Sequence, residues 1–245
     1  MSERNRLEKI SVSVSYDQGI MHRVTQYSGA VLRRHMVDGG VLELGPAEGV
    51  MTDILFPEYP DYTVVDGAKI FVDELLKRHD GIKGFVSLFE DYKPKRKYEN
   101  IILGHVLEHV AYPVEILRLV ASWLVPDGVI IAAVPNCNSL HRQAAVKMGL
   151  LKTTNELNSQ DIANGHRRVY SLAELIQDFE DAGLVVAKSG GYFLKPVSNG
   201  QIDRDWNEGM LDAFLSLGEE YPDIAGEIYV VAKVSDNSKG EAVCR

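Results

Sequence analysis

The chain has 245 residues, of which 45% are hydrophobic, and its formal net charge is −9. This length and composition fit one α/β domain with additions and a single large core. The negative charge is spread along the chain, which speaks against nucleic acid as a partner. The sequence has no apolar stretch of leader or membrane-span character, so we expect a cytoplasmic protein. Two cysteines, Cys137 and Cys244, predict neither a disulfide framework nor a metal site.

The first 36 residues are predicted to form a lid and a helix. Residues 10–15 alternate in polarity as a strand does, but no partner strand is evident. We therefore expect an extended arm that folds over the site and carries Tyr16 to it. Apolar residues at helical spacing predict a helix over about 21–36. The main domain is expected over residues 37–235, followed by a flexible tail over residues 236–245.

Residues 41–49 predict a strand, a tight turn and the start of a helix. Gly45 and Gly49 allow unusual backbone dihedrals and let a ligand approach the turn closely. Glu43 is expected to project a carboxylate into the same crevice, where it would repel a pyrophosphate and suit an ammonium or sulfonium group. Position 47 is alanine, so the glycine pattern of a dinucleotide site is incomplete. A tight turn without a ligand is the alternative.

The next two predicted strands end at the same edge of the sheet. Residues 62–65 lead into Asp66, whose carboxylate could accept two hydrogen bonds from ribose hydroxyls. The alternative role for Asp66 is a helix N-cap, which aspartate also favours. Residues 82–87 form the third predicted strand, and Leu88 and Phe89 after it are candidates for contacts with an adenine.

The strand–helix alternation then continues to the end of the chain, with one interruption. A buried strand over 98–103 precedes the sequence from His105 to His109, Pro113 opens a helix, and a strand follows over 129–135. This alternation predicts a parallel, doubly wound sheet. Residues 136–170 interrupt it, and we expect an insertion that shapes the substrate pocket. Further predicted elements are a helix over 171–182, strands over 184–188 and 191–194, a helix over 205–217 and a last strand over 227–233.

Five ordered motifs together resemble the class I S-adenosylmethionine-dependent methyltransferases. They are residues 43–49, Asp66, the pair Glu108–His109, and residues 124–128 and 134–136. Within them, residues 105–110 are similar to small-molecule O- and N-methyltransferases related to ubiquinone-biosynthesis and sugar methylases. The resemblance is strong over residues 38–136 and looser over 166–233.

This resemblance implies a fold and a cofactor. The fold would be Rossmann-like, a doubly wound seven-stranded sheet in a three-layer αβα sandwich, mostly parallel with an antiparallel last strand. The cofactor would be S-adenosyl-L-methionine, with S-adenosyl-L-homocysteine as its product. The glycine turn would lie under the methionine moiety, the acid after the second strand would bind the ribose, and the next loop would meet the adenine. The residues assigned to the cofactor are Glu43, Gly45, Pro46, Gly49, Asp66, Leu88, Phe89 and Gly104.

Methyl transfer from a sulfonium needs alignment and, where the nucleophile carries a proton, a general base. His105 and His166 are the candidate catalytic bases. His109 follows His105 by four residues, which is also a metal-ligand spacing. No third ligand stands at a suitable spacing, so no metal is predicted. In the resembling family the Glu–His pair commonly packs at a helix start, which is the alternative role for His109.

The predicted acceptor is a small polar metabolite, a natural-product, saccharide or cell-surface precursor, that is methylated on oxygen or nitrogen. Basic residues near the end of the insertion suit an anionic group on it. The residues assigned to substrate binding are Tyr16, His109, Arg167, Arg168, Tyr170 and Lys195. A non-catalytic S-adenosylmethionine-binding protein and a NAD-binding α/β protein are the alternatives. The sequence leaves the acceptor and the oligomeric state open.

Overall fold

The structure is a computed structural model that describes residue 6 and residues 18–235. The predicted strand-like arm with Tyr16, and the predicted tail, lie outside the described residues. No helix in the described part is long and apolar enough to cross a membrane. The elements in chain order are α1 (Gly19–Arg33), β1 (Val41–Leu44), α2 (Val50–Leu55), β2 (Tyr62–Asp66), α3 (Lys69–Arg78), β3 (Lys83–Val86), β4 (Tyr98–Gly104), α4 (Pro113–Ala121), β5 (Leu124–Pro135), α5 (Leu140–Lys147), α6 (Ser159–Ala163), α7 (Leu172–Asp181), β6 (Leu184–Tyr192), α8 (Asn199–Asp205), α9 (Glu208–Glu220), a 3₁₀ turn (Pro222–Ile224) and β7 (Glu227–Val234).

All seven strands belong to one sheet in the order β3-β2-β1-β4-β5-β7-β6. The pairs from β3 through β5 are parallel, and β7 runs antiparallel to both of its neighbours, β5 and β6. Strands β1 and β2 are buried along their whole length, as expected where helices cover both faces of a parallel sheet. The predicted doubly wound, mostly parallel sheet with an antiparallel last strand is therefore confirmed.

Each face of the sheet has its own hydrophobic core. On one face, Leu117 of α4 and Phe179 of α7 pack with residues of β4 and β5. On the other face, Leu32 of α1, Leu55 of α2 and Leu215 of α9 pack with residues of β1, β2 and β7. The predicted helix–sheet–helix sandwich is thus present, and the carboxyl ends of the parallel strands emerge between its layers.

Two segments in the last third differ from the prediction. The two strands predicted over 184–194 are one continuous strand, β6, that contains Gly190 and Gly191. A Cβ at Gly190 would lie 2.7 Å from the Tyr229 hydroxyl, so glycine here makes room for a neighbouring strand and does not break its own. The helix predicted over 205–217 corresponds to α9, which begins at Glu208 and ends at Glu220, and the shorter helix α8 before it was not predicted. The two helices separate at Asn207, whose side chain accepts a hydrogen bond from the backbone of Met210.

Candidate functional site

A cavity of about 410 Å³ opens at the carboxyl ends of β1, β2 and β4. This is the edge at which open α/β sheets bind ligands, and the volume lies within the range of small-molecule sites. The structure brings all eight residues assigned to the cofactor to this cavity. They are Glu43, Gly45, Pro46, Gly49, Asp66, Leu88, Phe89 and Gly104.

The turn after β1 requires both of its glycines, for different reasons. Gly45 has a φ of +64°, and a Cβ there would lie 2.9 Å from Cγ2 of Val106, across the cavity floor. Gly49 has a φ of +82°, and its Cβ would lie 2.3 Å from Leu75 of α3. Glycine at 45 thus leaves room for Val106 in the cavity, whereas glycine at 49 permits the close packing of α3.

The Glu43 carboxylate is buried at the floor of the cavity. Its Oε2 accepts hydrogen bonds from the Thr52 hydroxyl at 2.6 Å and the Tyr62 hydroxyl at 2.8 Å. Neither bond uses Oε1. Burial raises the pKa of Glu43 to about 7, although the two hydrogen bonds act in the opposite direction. A cationic ligand next to Glu43 would therefore relieve an unfavourable buried charge.

Asp66 lies at the end of β2, which pairs directly with β1. Its Oδ1 accepts a hydrogen bond from the Ala68 backbone N–H at 2.7 Å. Burial raises the pKa of Asp66 to about 6, against the effect of the backbone hydrogen bonds from Ala68 and Ala47. The N-cap residue of α3 is Ala68, so the alternative of an N-cap role for Asp66 is not what the structure shows.

Helix residues that the sequence reasoning missed complete the cavity wall. Met21 and Thr25 reach it from α1, Met51 from α2 and Phe71 from α3, while Tyr112 immediately precedes α4. The predicted site residues lie at strand ends and turns, because neighbouring parallel strands end at the same edge of the sheet. The i, i+4 spacing of Met21 and Thr25 was a usable signal that they share one face of α1.

His105 stands at the carboxyl end of β4 and lines the cavity. It has a φ of +58°, a strained conformation that is uncommon for a residue with a side chain. Its Nδ1 lies 3.6 Å from Glu108 and 3.8 Å from Glu227, and its buried Nε2 has no hydrogen-bond partner among the described residues. Burial lowers the pKa of His105, but the two carboxylates outweigh it and the net shift is upward. Glu227, which reaches His105 from β7, was not predicted as a site residue.

The two other predicted histidines lie side by side. His109 lines the cavity, and the His166 ring packs edge-on against it with 4.8 Å between ring centres. His166 is not among the cavity-lining residues. Its Nδ1 lies 3.4 Å from Oδ1 of Asp161, a residue of α6. The structure therefore places His109 at the site and His166 behind it.

The segment 167–170 is used mainly to hold the loop before α4. Arg168 donates hydrogen bonds to the carbonyl oxygens of Leu107 at 2.8 Å and Val110 at 2.5 Å. Arg167 donates from Nε to the carbonyl oxygen of His109 at 2.8 Å. Tyr170 is buried, and its hydroxyl donates to Asp178 at 2.8 Å. The structure does not bring these three residues to the cavity.

Lys195 follows β6 and also does not line the cavity. Burial lowers the pKa of its ammonium group to about 8, against the favourable charges of Glu227 and Asp161. Since Glu227 also faces His105, Lys195 belongs to the charged region behind the cavity wall.

Comparison with known proteins agrees with this geometry. A family model described as a methyltransferase domain matches residues 16–189. No curated protein sequence matches the chain. Among solved structures, the fold is similar to a chain in the complex of the Haloferax volcanii methyltransferase activator Trm112 with a methyltransferase. That match has a TM-score of 0.64 and 17% identity, and it covers 96% of this chain and 99% of that one.

Two further structures carry the same fold. One is the N-methyltransferase NodS from Bradyrhizobium japonicum in complex with S-adenosylhomocysteine, with a TM-score of 0.59, 13% identity and coverage of 95% and 100%. The other is the 1,6-didemethyltoxoflavin-N1-methyltransferase of Burkholderia thailandensis, with a TM-score of 0.59, 15% identity and coverage of 87% and 79%. Since the family model covers most of the chain, the resemblance deduced from the motifs is confirmed, and the chain belongs to the methyltransferase-domain family.

Proposed function

We propose that the chain transfers a methyl group from S-adenosylmethionine to an oxygen or nitrogen of a small polar metabolite. The observation that carries this proposal is the pairing of two buried carboxylates, Glu43 and Asp66, with a glycine turn at the edge of the sheet. A cationic ligand without a phosphate suits this arrangement, because each carboxylate is destabilised by burial and gains from a donor or a positive charge.

The cavity residues fit the parts of S-adenosylmethionine. Asp66 would accept hydrogen bonds from the ribose hydroxyls, and the free Oε1 of Glu43 would face the methionine end. Phe71 and Phe89 supply the apolar surfaces that an adenine needs. When bound, this cofactor supplies an electrophilic methyl group with a good leaving group. The protein therefore needs mainly to align the acceptor and exclude water.

We assign proton removal from the acceptor to His105. Glu108 and Glu227 face its Nδ1 and would orient the ring, while the unpartnered Nε2 is the nitrogen that would take the proton. His105 lines the cofactor cavity, which supports its contact with an acceptor bound next to the methyl donor. Of the two predicted bases we retain His105, since His166 does not line the cavity.

The acceptor is proposed to be a small molecule, and an anionic group on it remains part of the proposal. Lys195 is the candidate partner of this anion, because its ammonium makes no hydrogen bond or ion pair with other described residues. Since Lys195 does not line the cavity, the acceptor would have to extend past the cavity wall to reach it. NodS is named as an N-methyltransferase, and the toxoflavin enzyme is named as an N1-methyltransferase of 1,6-didemethyltoxoflavin. The choice between oxygen and nitrogen, and the natural-product, saccharide or cell-surface setting, stay predictions.

The test is turnover with methyl-labelled S-adenosylmethionine across a panel of small hydroxyl and amine compounds, with product mass as the readout. We expect a labelled product and adenosylhomocysteine in equal amounts. His105→Asn should lower kcat by about 100-fold or more, the usual contribution of a general base, while adenosylhomocysteine binding persists. A protein that binds adenosylhomocysteine but methylates nothing in the panel would support the non-catalytic alternative. An unchanged kcat in His105→Asn would remove the assigned base.

A further inference from the structure

A charged cluster lies directly behind the cavity wall, where the loop after β4 meets the segment after α6. We propose that Glu108, His109 and His166 bind one divalent transition-metal ion. One ligand atom from each of these residues can be chosen so that all three lie within 4.8 Å of one another. Two imidazoles and one carboxylate are a ligand set that suits zinc, manganese, iron or cobalt.

The first observation is the state of Glu108. Its side chain is 1% exposed, and neither carboxylate oxygen has a hydrogen-bond partner among the described residues. The nearest nitrogens, Nδ1 of His105 and Nε2 of His109, lie 3.6 and 3.9 Å from Oε1, which is beyond hydrogen-bond length. A buried carboxylate without hydrogen bonds is costly, and a bound dication would offset that cost.

The second observation is that an anchored carboxylate lies next to the His166 ring. Nδ1 of His166 lies 3.4 Å from Oδ1 of Asp161. The Asp161 carboxylate is itself held by Arg142 at 2.9 Å and by the Asn158 backbone at 2.9 Å. This arrangement leaves Nε2 of His166 for a metal. A carboxylate or carbonyl behind a ligating imidazole is the usual support of a metal-binding histidine.

The third observation is that hydrogen bonds join the two segments that carry the ligands, residues 107–110 and residues 166–168. The Arg167 backbone N–H donates to the carbonyl oxygen of Glu108 at 2.8 Å. The Arg168 side chain bonds carbonyl oxygens on both sides of that residue, those of Leu107 and Val110. His166 is thereby fixed next to His109 and Glu108, which precede it by 57 and 58 positions in the chain. The prediction of no metal considered the pair His105 and His109, whereas the fold groups His109 with Glu108 and His166.

The present spacing is wider than that of a bound ion. Ligands at the usual zinc distances lie roughly 3.3 Å from one another, against up to 4.8 Å here. Binding would therefore draw the three side chains together by about an ångström, a change that imidazole and carboxylate rotations can supply.

Such an ion would also lie close to the acceptor, a consequence that rests on the proposed function. Glu108 faces His105, which lines the cofactor cavity, and three protein ligands leave coordination positions open. An acceptor hydroxyl or carboxylate oxygen could occupy one of them, and a bound hydroxyl loses its proton more easily. The site thus favours an oxygen-bearing acceptor over an amine.

The experiment measures metal binding without turnover. Full-length protein is stripped with a chelator and titrated with Zn²⁺ by calorimetry and with Co²⁺ by visible absorption. We expect one equivalent per chain and a Co²⁺ spectrum with nitrogen ligation. His166→Ala, and Glu108→Gln, which keeps the side-chain shape, should each weaken binding at least tenfold, and Asp161→Asn should weaken it 10- to 100-fold. His35→Ala is the control, because this partly buried ring stacks on Tyr229 and should leave binding unchanged.

Adenosylhomocysteine binding and thermal unfolding are measured on the same samples, so a misfolded variant is recognised. Wild-type protein that binds adenosylhomocysteine but neither metal would overturn the proposal. Equal losses in His35→Ala and His166→Ala would also overturn it. Metal binding without adenosylhomocysteine binding would instead refute the proposed function and leave the metal site standing.

Discussion

The buried carboxylate of Glu43 should strengthen cofactor binding and, when ionised, lower the free energy of unfolding of the ligand-free protein. These two opposite effects can be measured in one variant. Burial raises the pKa of Glu43 in the folded chain to about 7, from an ordinary value of 4.5. The folded state then holds its proton more tightly than the unfolded state does. Its contribution to stability is present below pH 4.5 and is lost as the pH rises through 7. The full loss corresponds to about 3 kcal/mol, an upper limit for one carboxyl group.

Glu43→Gln removes this charge and keeps an acceptor for Thr52 and Tyr62. In urea unfolding of the ligand-free protein, we expect the variant to be up to about 3 kcal/mol more stable than wild type at pH 8. The difference should vanish near pH 4. Adenosylhomocysteine should bind the variant about 30-fold more weakly at pH 8, the effect of losing roughly 2 kcal/mol from a charge-assisted hydrogen bond.

Glu74→Gln provides the matched control, because Glu74 is an exposed glutamate on α3. It should alter neither the unfolding free energy nor the affinity for adenosylhomocysteine. If Glu43→Gln were no more stable than wild type at pH 8, the reasoning from burial would be wrong. If it bound adenosylhomocysteine as tightly as wild type, Glu43 would have no part in recognising the cofactor.

Three further predictions concern the cavity and the loop behind it. Asp66→Asn should weaken adenosylhomocysteine binding 10- to 100-fold by calorimetry. It should not lower the melting temperature at pH 8, because burial raises the pKa of Asp66 to about 6 and the ionised carboxylate therefore destabilises the fold at that pH. A lower melting temperature would contradict that reasoning. Gly45→Ala should destabilise the fold by about 2–4 kcal/mol in urea unfolding, from its positive φ and the 2.9 Å contact with Val106. Gly81→Ala should cost only about 1–2 kcal/mol, since its φ is +91° and nothing lies within 4 Å, and equal costs would refute the contact argument. Arg168→Ala should lower the melting temperature by roughly 5–10 °C, because the variant loses the hydrogen bonds from Arg168 to backbone carbonyl oxygens. An unchanged melting temperature would contradict this structural role and favour the predicted role of Arg168 in substrate binding.

The cofactor side of the site could be anticipated because it depends on local patterns. A strand, a glycine turn and an acid after the next strand fix positions relative to one sheet edge, since neighbouring parallel strands end together. Glu43 and Asp66 therefore reach the same cavity, as expected from their spacing alone. The sheet itself follows from the same alternation of strands and helices.

The acceptor side could not be anticipated, because it is assembled from distant segments. Glu227 reaches His105 through the antiparallel pairing of β7, and His166 reaches His109 through the anchoring of Arg168. Charge alone suggested that Arg168 binds an anion, whereas its partners are backbone carbonyl groups that no sequence pattern identifies. The glycine pair in β6 was likewise predicted to break the strand, because the close approach of Tyr229 from the neighbouring strand β7 leaves no local sequence pattern.

The central claim is that the cavity at the ends of β1, β2 and β4 binds the methyl donor. A crystal structure with adenosylhomocysteine tests it most directly. We predict ribose hydroxyls within about 3 Å of the Asp66 carboxylate, with the sulfur on the side of the cavity that Gly45 and His105 line. A ligand bound outside this cavity, or a ribose turned away from Asp66, would contradict the account.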